Sequence, residues 1–126
     1  MNWRQVCKLG LELPEVAEGT WFGTPGLTVR GKGFVRLRPE LEGIVFLLDD
    51  VSEQEDLVAA QPELYFVTDH YLGHAAVLAR LTALRAPECR LRLAQSWRRK
   101  APAALVQGLD TTRAPRRSAR RGRSAE

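Results

Sequence analysis

The sequence predicts an α+β fold, a two-layer α/β sandwich in which helices pack on one face of a mainly antiparallel sheet. Helical periodicity is found near both ends of the chain and in one short central segment, whereas strand-like segments follow one another with turn residues between them. This order differs from the alternation of strands and helices that indicates parallel βαβ units. A chain of 126 residues with 44% hydrophobic residues is large enough for one domain with a single core.

The first half of the chain predicts one helix followed by four strands. Apolar residues at helical spacing indicate a helix over residues 2–11, and Pro14 ends it. Short runs of strand-forming residues, separated by glycine and proline turns, then indicate the strands. Their predicted ranges are 20–22, 27–30, 34–38 and 43–48.

A second helix and two further strands are predicted in the middle of the chain. Ser52 precedes Glu55 by three residues, which is the capping-box spacing, and indicates a short helix that ends near residue 60. Pro62 closes this segment. Strands are predicted at 64–68 and 76–81.

Toward the C-terminal end of residues 1–110, the sequence predicts a helix that starts near Pro87 and packs on the sheet. Pro102 interrupts this helix, and residues 103–109 can form a last turn or two. Apolar residues spaced four apart form the stripe that should face the core. These residues are Cys89, Leu93, Trp97 and Ala101.

The positive charge of the chain is concentrated at its C-terminal end. The net charge is +4, but residues 111–126 contain six arginines and one acid, which leaves 13 basic and 14 acidic residues, a net charge of −1, in residues 1–110. The arginine-rich segment lacks hydrophobic periodicity, so we predict a domain over 1–110 and a disordered tail over 111–126. The arginines of the tail are predicted to contact nucleic-acid phosphates non-specifically. The alternative is that they only reflect a preference for arginine over lysine in the whole chain. The tail arginines are Arg113, Arg116, Arg117, Arg120, Arg121 and Arg123.

Neither the N-terminal segment nor any later one has the pattern of a signal peptide or of a transmembrane helix, so we expect a cytoplasmic protein that does not bind membranes. Cys7 and Cys89 are far apart and lack the spacing of metal ligands or redox pairs. Both lie at apolar positions of predicted helices. We therefore predict buried, reduced thiols.

Several short motifs stand out in the sequence: Leu13-Pro14-Glu15-Val16-Ala17-Glu18-Gly19, Gly23-Thr24-Pro25, Val29-Arg30-Gly31-Lys32, the stretch from Pro62-Glu63-Leu64-Tyr65-Phe66 to His70-Tyr71, and Ser96-Trp97-Arg98-Arg99-Lys100-Ala101-Pro102. Together they resemble the MmcQ/YjbR family of small bacterial proteins over residues 3–109. The resemblance implies a CyaY-like fold and a DNA-binding protein of a double-wing type, and it supplies neither catalytic residues nor a cofactor. The arginine-rich tail is not part of the family pattern.

The hairpin around Gly31 can be assigned a register from its side-chain pattern. A two-residue turn at Gly31 and Lys32 would mix apolar and basic side chains on each face of the hairpin. A three-residue loop that ends with Gly33 at positive φ separates them. The predicted pairs are then Leu27 with Leu37, Thr28 with Arg36, Val29 with Val35 and Arg30 with Phe34.

This register predicts a basic hairpin face that binds DNA phosphates. Glu40 and Glu42 lie nearby in sequence and offer the alternative that the face is neutralised and merely solvated. The predicted DNA-binding residues of the hairpin are Arg30, Lys32, Phe34, Arg36 and Arg38, with Thr28 beside them and Lys32 at the tip.

A second basic cluster, Arg98, Arg99 and Lys100, is assigned to DNA binding as well. Consecutive helical positions point in different directions, so the three side chains cannot all face one row of phosphates. The competing interpretation is a solvated helix end, where cations interact favourably with the helix dipole.

Two features favour other kinds of site. His70 and His74 are four residues apart and follow Asp69, but Gly73 indicates a loop and no third ligand is near in sequence, so we assign neither a metal nor a catalytic residue. The aromatic residues Trp21, Phe22, Tyr65 and Phe66 can line a pocket against the turn at 23–26.

We interpret the chain as a non-enzymatic DNA-binding protein without a cofactor. Its binding is expected to be weak and dominated by phosphate contacts, because the domain without the tail is nearly neutral. The alternative is a module that binds a small ligand or a protein partner, which the aromatic residues favour.

Overall fold

The computed structural model describes residues 1–113, with side chains described through residue 109, and confirms the α+β fold. The last helix includes residues 111–113 of the segment predicted to be disordered, and the rest of that segment lies outside the described residues. The elements in chain order are α1 (Trp3–Gly10), β1 (Val16–Trp21), β2 (Thr24–Val29), β3 (Lys32–Arg38), β4 (Gly43–Leu47), α2 (Val51–Ala60), β5 (Tyr65–Phe66), β6 (Ala76–Arg80), α3 (Ala86–Lys100) and α4 (Ala103–Arg113), with a 3-10 turn at Pro39–Leu41.

The six strands form one antiparallel sheet in the order β1-β2-β3-β4-β6-β5. Helix α3 packs on β3 and β4, and α1 packs on α3, so one face of the sheet is covered by helices. Residues directly opposite one another in antiparallel strands share a face. The core row formed by Leu27, Val35, Phe46 and Val77 is fully buried on the helical side.

We call the other side of the sheet the open face. The row that defines it consists of Arg36, Val45, Leu78 and Phe66, which lie opposite one another on β3, β4, β6 and β5. A small apolar cluster covers its centre. Besides strand residues, this cluster includes Leu41 from the 3-10 turn and Tyr71 from the loop between β5 and β6. The chain itself therefore covers part of the open face.

The helix ends show why the helices begin where they do. The side chain of Asn2 accepts a hydrogen bond from the Gln5 N–H, and the Gln5 side chain accepts one from the Asn2 N–H, which completes a capping box for α1. The predicted start of α2 at Ser52 was wrong, because Asp50 is the N-cap and accepts a hydrogen bond from the Glu53 N–H. No helix among residues 1–113 is long and apolar enough to cross a membrane.

The predicted register of the β2–β3 hairpin was wrong. The turn consists of Arg30 and Gly31, with φ angles of 50° and 81°, so that Val29 lies opposite Lys32. Two consecutive residues at positive φ give a type I′ turn, whose twist matches that of the strands on either side. The predicted left-handed conformation of Gly33 is not present, and this glycine is an ordinary residue of β3.

A bulge in β3 restores the apolar pairing of the hairpin. The register shifts between Leu27 and Thr28, so Thr28 faces Gly33, Leu27 faces Val35, and Phe34 is the extra residue. Both Phe34 and Val35 are fully buried. The strict alternation on which the basic hairpin face was predicted therefore fails at Phe34.

Helix α3 stabilises the sheet beside the bulge. The buried Ser96 hydroxyl accepts a hydrogen bond from the Leu47 N–H at 2.8 Å and donates one to the Phe34 carbonyl. The indole N–H of Trp97 donates to the Pro14 carbonyl at 3.0 Å, which attaches the segment after α1 to the helix. The predicted core-facing stripe of α3 is confirmed at Cys89, Leu93 and Trp97, which are buried, whereas Ala101 is the half-buried C-cap. Ser96 was not part of the predicted stripe.

The two cysteines are buried and free, as predicted. Burial raises the pKa of the Cys7 thiol to about 11 and that of the Cys89 thiol to about 12. Both groups are thus protonated thiols at neutral pH, a form that reacts poorly with electrophiles.

Candidate functional site

The hairpin tip does not form the predicted basic face. Phe34 lies in the core and is inaccessible. Arg30 forms a bidentate ion pair with Glu15, with Nε–Oε1 and Nη2–Oε2 distances of 2.7 and 3.1 Å. The hydrogen bond from Arg30 lowers the pKa of the Glu15 carboxyl. Lys32 is exposed at the start of β3, so of these predicted residues it alone keeps the environment expected for it.

Two of the predicted arginines lie together on the open face. Arg36 donates from Nε to the Thr24 hydroxyl at 2.8 Å and from Nη1 to the Tyr71 hydroxyl at 3.3 Å. Arg38 donates to the same Tyr71 hydroxyl at 2.9 Å. It also forms an ion pair with Glu40 at 2.6 Å, so that its charge is locally compensated. The same contact with Glu40 raises the pKa of Arg38.

Arginine and aromatic side chains are paired repeatedly on this face. In each pair the guanidinium lies over a ring, within the distance at which a cation is attracted to the ring face. The pairs are Arg36 over Phe22 at 5.3 Å, Arg38 over Tyr71 at 5.7 Å and Arg80 over Phe66 at 4.3 Å. Arg80 belongs to β6 and was not among the residues predicted from the sequence.

The β1–β2 turn places two aromatic side chains at the edge of the open face. Phe22 occupies this tight turn at a φ of 54°, followed by Gly23 at 78°, and is 77% exposed. A bulky residue rarely adopts positive φ, so this exposed ring is held at an energetic cost. Trp21 lies across Gly33, where an added Cβ would come within 2.7 Å of the indole. The absence of a side chain at Gly33 thus allows the indole to pack directly against β3.

The loop between β5 and β6 forms the opposite side of the site. The side-chain amide of the buried Gln54 donates to the carbonyls of Tyr71, His74 and Ala76 at 2.8, 3.0 and 2.9 Å. The same side chain accepts a hydrogen bond from the Gly73 N–H at 3.3 Å. One residue of α2 therefore fixes the conformation of this loop. Sequence reasoning missed it, because an amide on a helix ordinarily indicates a solvent-exposed position.

A cavity of about 530 Å³ lies between the β1–β2 turn and this loop. We call it the open-face cavity. His70 and His74 both belong to its lining, although the sequence assigned neither of them to a metal or catalytic site. It is lined by Trp21, Phe22, Arg36, Val45, Leu47, His70, Tyr71, His74, Ala75 and Ala76.

The predicted aromatic pocket is only half present. Trp21 and Phe22 line the cavity, whereas Tyr65 is fully buried in the core on the opposite face and donates a hydrogen bond to Glu88. Burial, together with this hydrogen bond, raises the pKa of the Tyr65 hydroxyl. Phe66 is on the open face but packs beneath Arg80 instead of lining the cavity. Adjacent strand residues point to opposite faces, which is why Tyr65 and Phe66 cannot serve the same site.

The second predicted basic cluster is separate from the open face. Arg98, Arg99 and Lys100 form the exposed last turn of α3, on the helical side of the sheet. This placement agrees with the interpretation of a solvated helix end near the helix dipole. Of the tail arginines, Arg113 closes α4, and the other five lie outside the described residues.

Comparisons with known proteins place the chain in a family. It is 37% identical over 51 residues to the uncharacterized protein Rv2570 of Mycobacterium tuberculosis (strain ATCC 25618 / H37Rv) and to the uncharacterized protein Mb2600 of Mycobacterium bovis (strain ATCC BAA-935 / AF2122/97). Each match covers 40% of this chain and 40% of the relative. No solved structure matches the chain. The family model YjbR matches residues 11–99, most of the described domain. The chain therefore belongs to the YjbR family.

Proposed function

We propose that this protein is a non-enzymatic DNA-binding protein that uses the open face of its sheet and prefers single strands. The observation that carries the proposal is the repeated pairing of arginines with aromatic rings on that face. Stacking platforms combined with basic side chains are typical of proteins that bind single-stranded nucleic acid. A cytoplasmic location in a bacterial cell, where such DNA is accessible, is part of the proposal.

The charges on the open face favour two arginines as phosphate ligands. Arg38 is compensated by Glu40, as Arg30 is by Glu15 at the hairpin tip. Among residues 1–109, no carboxylate forms an ion pair with Arg36 or Arg80. An arginine without a carboxylate partner attracts a phosphate more strongly than one already paired. Arg36 and Arg80 are therefore assigned to phosphate binding.

Bases would stack on the exposed ring of Phe22 and on the indole of Trp21. Stacking requires a free base face, which a single strand offers and a duplex hides, so the expected preference is for single strands. Stacking of one base on one aromatic side chain contributes about 1–3 kcal/mol. The exposed, strained position of Phe22 fits this role better than a role in packing, since the side chain is 77% exposed.

The arginine-rich tail supplies a second, sequence-independent contribution to the affinity. The domain without it carries a net charge of −1, which makes its own attraction to DNA weak. Each phosphate neutralised on a single strand contributes about 0.7 to the slope of log affinity against log salt concentration. Six tail arginines thus contribute up to about 4 to this slope, and Arg36 with Arg80 about 1.4.

Fluorescence anisotropy of the full chain with a labelled 15-nucleotide thymidine strand, and with a duplex of the same length, tests the proposal. We expect a dissociation constant of about 1–100 μM for the single strand at moderate salt and weaker binding to the duplex. Arg36→Gln with Arg80→Gln should weaken binding at least about tenfold and lower the salt slope by about 1.4. Replacing the six tail arginines with Gln should lower the slope further but leave measurable binding at low salt.

Two controls make the result specific to the open face. The triple variant Arg98→Gln, Arg99→Gln and Lys100→Gln removes three positive charges, one more than the variant at Arg36 and Arg80. It should nevertheless reduce the affinity for the single strand less. Leu91→Ser removes a side chain that is 56% exposed on α3 and should leave affinity unchanged, whereas Phe22→Ser should reduce it about fivefold or more. Unchanged binding by the Arg36 and Arg80 double variant would contradict the proposal. The proposal would also be contradicted if the variant with neutral tail residues lost all binding at low salt.

The alternative function is a module that binds a small ligand or a protein partner. The cavity of about 530 Å³ on the open face favours a small ligand, because its size lies within the range of ligand pockets, about 300–1,000 Å³. If DNA binding fails the tests above, this alternative becomes the preferred function.

A further inference from the structure

We propose that the open-face cavity binds one planar aromatic group that carries a single anionic substituent. Two sources supply this chemistry, a nucleotide and a free aromatic acid. The inference goes beyond DNA binding, because the cavity would accept such a free small molecule whether or not the open face binds a DNA strand.

The floor and one wall of the cavity are formed by apolar residues. Val45 and Leu47 from β4 and Ala76 from β6 form the floor on the surface of the sheet. Trp21 and Phe22 line the cavity beside this floor, with their ring centroids 5.8 Å apart. A planar ring can lie on this floor and contact the neighbouring rings, whereas a branched or strongly polar group would leave apolar surface exposed.

Arg36 supplies the site for the negative charge. Its guanidinium is oriented by the Thr24 hydroxyl, by the Tyr71 hydroxyl and by the ring of Phe22. These two hydrogen bonds use only part of the N–H donors of a guanidinium, so further donors remain for a carboxylate or a phosphate. A cation already held in place loses little conformational freedom when it binds an anion, which favours affinity.

The loop wall adds polar groups without adding a competing negative charge. His70 and His74 are exposed at the rim of the cavity and present imidazole nitrogens that can donate or accept hydrogen bonds. None of the residues that line the cavity is acidic. One cationic side chain, Arg36, within a mostly apolar lining therefore selects a ligand with one anionic group rather than a polyanion or a cation.

The cavity is formed in advance of binding. Gln54 fixes the loop wall through hydrogen bonds to three carbonyls and one N–H, and the indole of Trp21 lies against the backbone of Gly33. A preformed site does not require its walls to become ordered when the ligand binds.

NMR titration of the 15N-labelled full chain tests this inference, with the indole N–H of Trp21 as the reporter. The probes are adenosine 5′-monophosphate and indole-3-acetate, with adenosine and indole as their uncharged counterparts. We expect at least one of the two anions to bind with a dissociation constant below about 1 mM, and its uncharged counterpart about tenfold or more weakly. Binding of the nucleotide alone identifies a nucleotide site, and binding of the indole acid alone identifies a site for aromatic acids.

Two variants connect the binding to the cavity. Arg36→Gln should weaken the bound anion about tenfold and leave the uncharged counterpart unaffected, whereas Arg90→Gln, on α3, should change neither. Ala76→Phe, at a position of β6 that lies on the open face and lines the cavity, should reduce binding of charged and uncharged probes alike by filling the cavity, and backbone spectra confirm that each variant is folded. The inference is overturned if neither anion binds at 5 mM, roughly five times the expected limit, or if Arg36→Gln leaves anion affinity unchanged. Loss of DNA binding alone leaves it intact, because the small probes are measured separately.

Discussion

Replacing Gln54 with Met should destabilise the protein by about 2–4 kcal/mol. The amide of Gln54 donates to three carbonyls at 2.8–3.0 Å and accepts from one N–H at 3.3 Å, and the side chain is 2% exposed. A buried hydrogen bond contributes about 0.5–1.5 kcal/mol net, and carbonyls left unpaired add to the loss. The amide NH2 has only two N–H groups for these three carbonyls. Together with the bond from Gly73, the free energy lost therefore corresponds to two or three full hydrogen bonds.

Urea unfolding of the wild type and the variant, followed by circular dichroism, measures this difference directly. Glu55→Met, at the exposed neighbouring position of α2, introduces the same side chain without removing these bonds and should change the free energy of unfolding by less than about 0.5 kcal/mol. A loss of less than about 0.5 kcal/mol in Gln54→Met would refute the assignment of this side chain as the anchor of the loop. The loop would then be held by other contacts.

Three further outcomes follow from the packing of the core. Ser96→Ala removes the hydroxyl that accepts a hydrogen bond from the Leu47 N–H, and it should lower the free energy of unfolding in urea by about 1–3 kcal/mol. An unchanged free energy of unfolding would show that β3 and β4 do not need this hydroxyl. Gly26→Ala places a Cβ 2.6 Å from the Val35 carbonyl and should reduce stability by about 1–3 kcal/mol, since the obstacle is backbone; a stable variant would contradict the close approach of β2 and β3. Cys7 and Cys89 should react with Ellman's reagent at pH 8 only after unfolding, because burial raises the pKa of both thiols; rapid reaction of the native protein would contradict their burial.

The order and type of the elements could be predicted from the sequence because they depend on local patterns. The apolar stripe at spacing four gave α3, and turn residues between short strand-like runs gave an antiparallel sheet. The N-cap of α2 was predicted wrongly because Asp50 and Ser52 are both residue types that cap helices well. Which of them is the N-cap depends on where the chain leaves β4, and that cannot be read from the local sequence.

The hairpin register could not be predicted, because the residue at the first turn position lacks the usual signal. Gly31 and Gly33 both favour positive φ, and this led to a turn placed too late in the chain, whereas the structure uses Arg30 at a φ of 50°. The bulge at Phe34 then broke the alternation that the prediction required. Phe34 is consequently a core residue, although the sequence predicted it on the DNA-binding face.

The candidate site was predictable in its parts but not in its assembly. Arg36, Arg38, the two histidines and the aromatic pair at 21–22 were each singled out by residue type. Their convergence depends on strand order and on the position of the loop that Gln54 holds, and neither is encoded in a local pattern. Arg80 was missed because a single arginine at the end of a predicted strand does not differ from an ordinary solvated residue.

The three tryptophans offer the most direct test of the claim that the open face binds DNA. Trp21 lies on the open face, Trp97 is buried beside Pro14, and Trp3 packs on the helical side of the core. In a 15N spectrum of the full chain titrated with a thymidine strand, the indole signal of Trp21 should shift and those of Trp97 and Trp3 should stay in place. A shift confined to signals of the tail and of the last turn of α3, with Trp21 unchanged, would contradict the account.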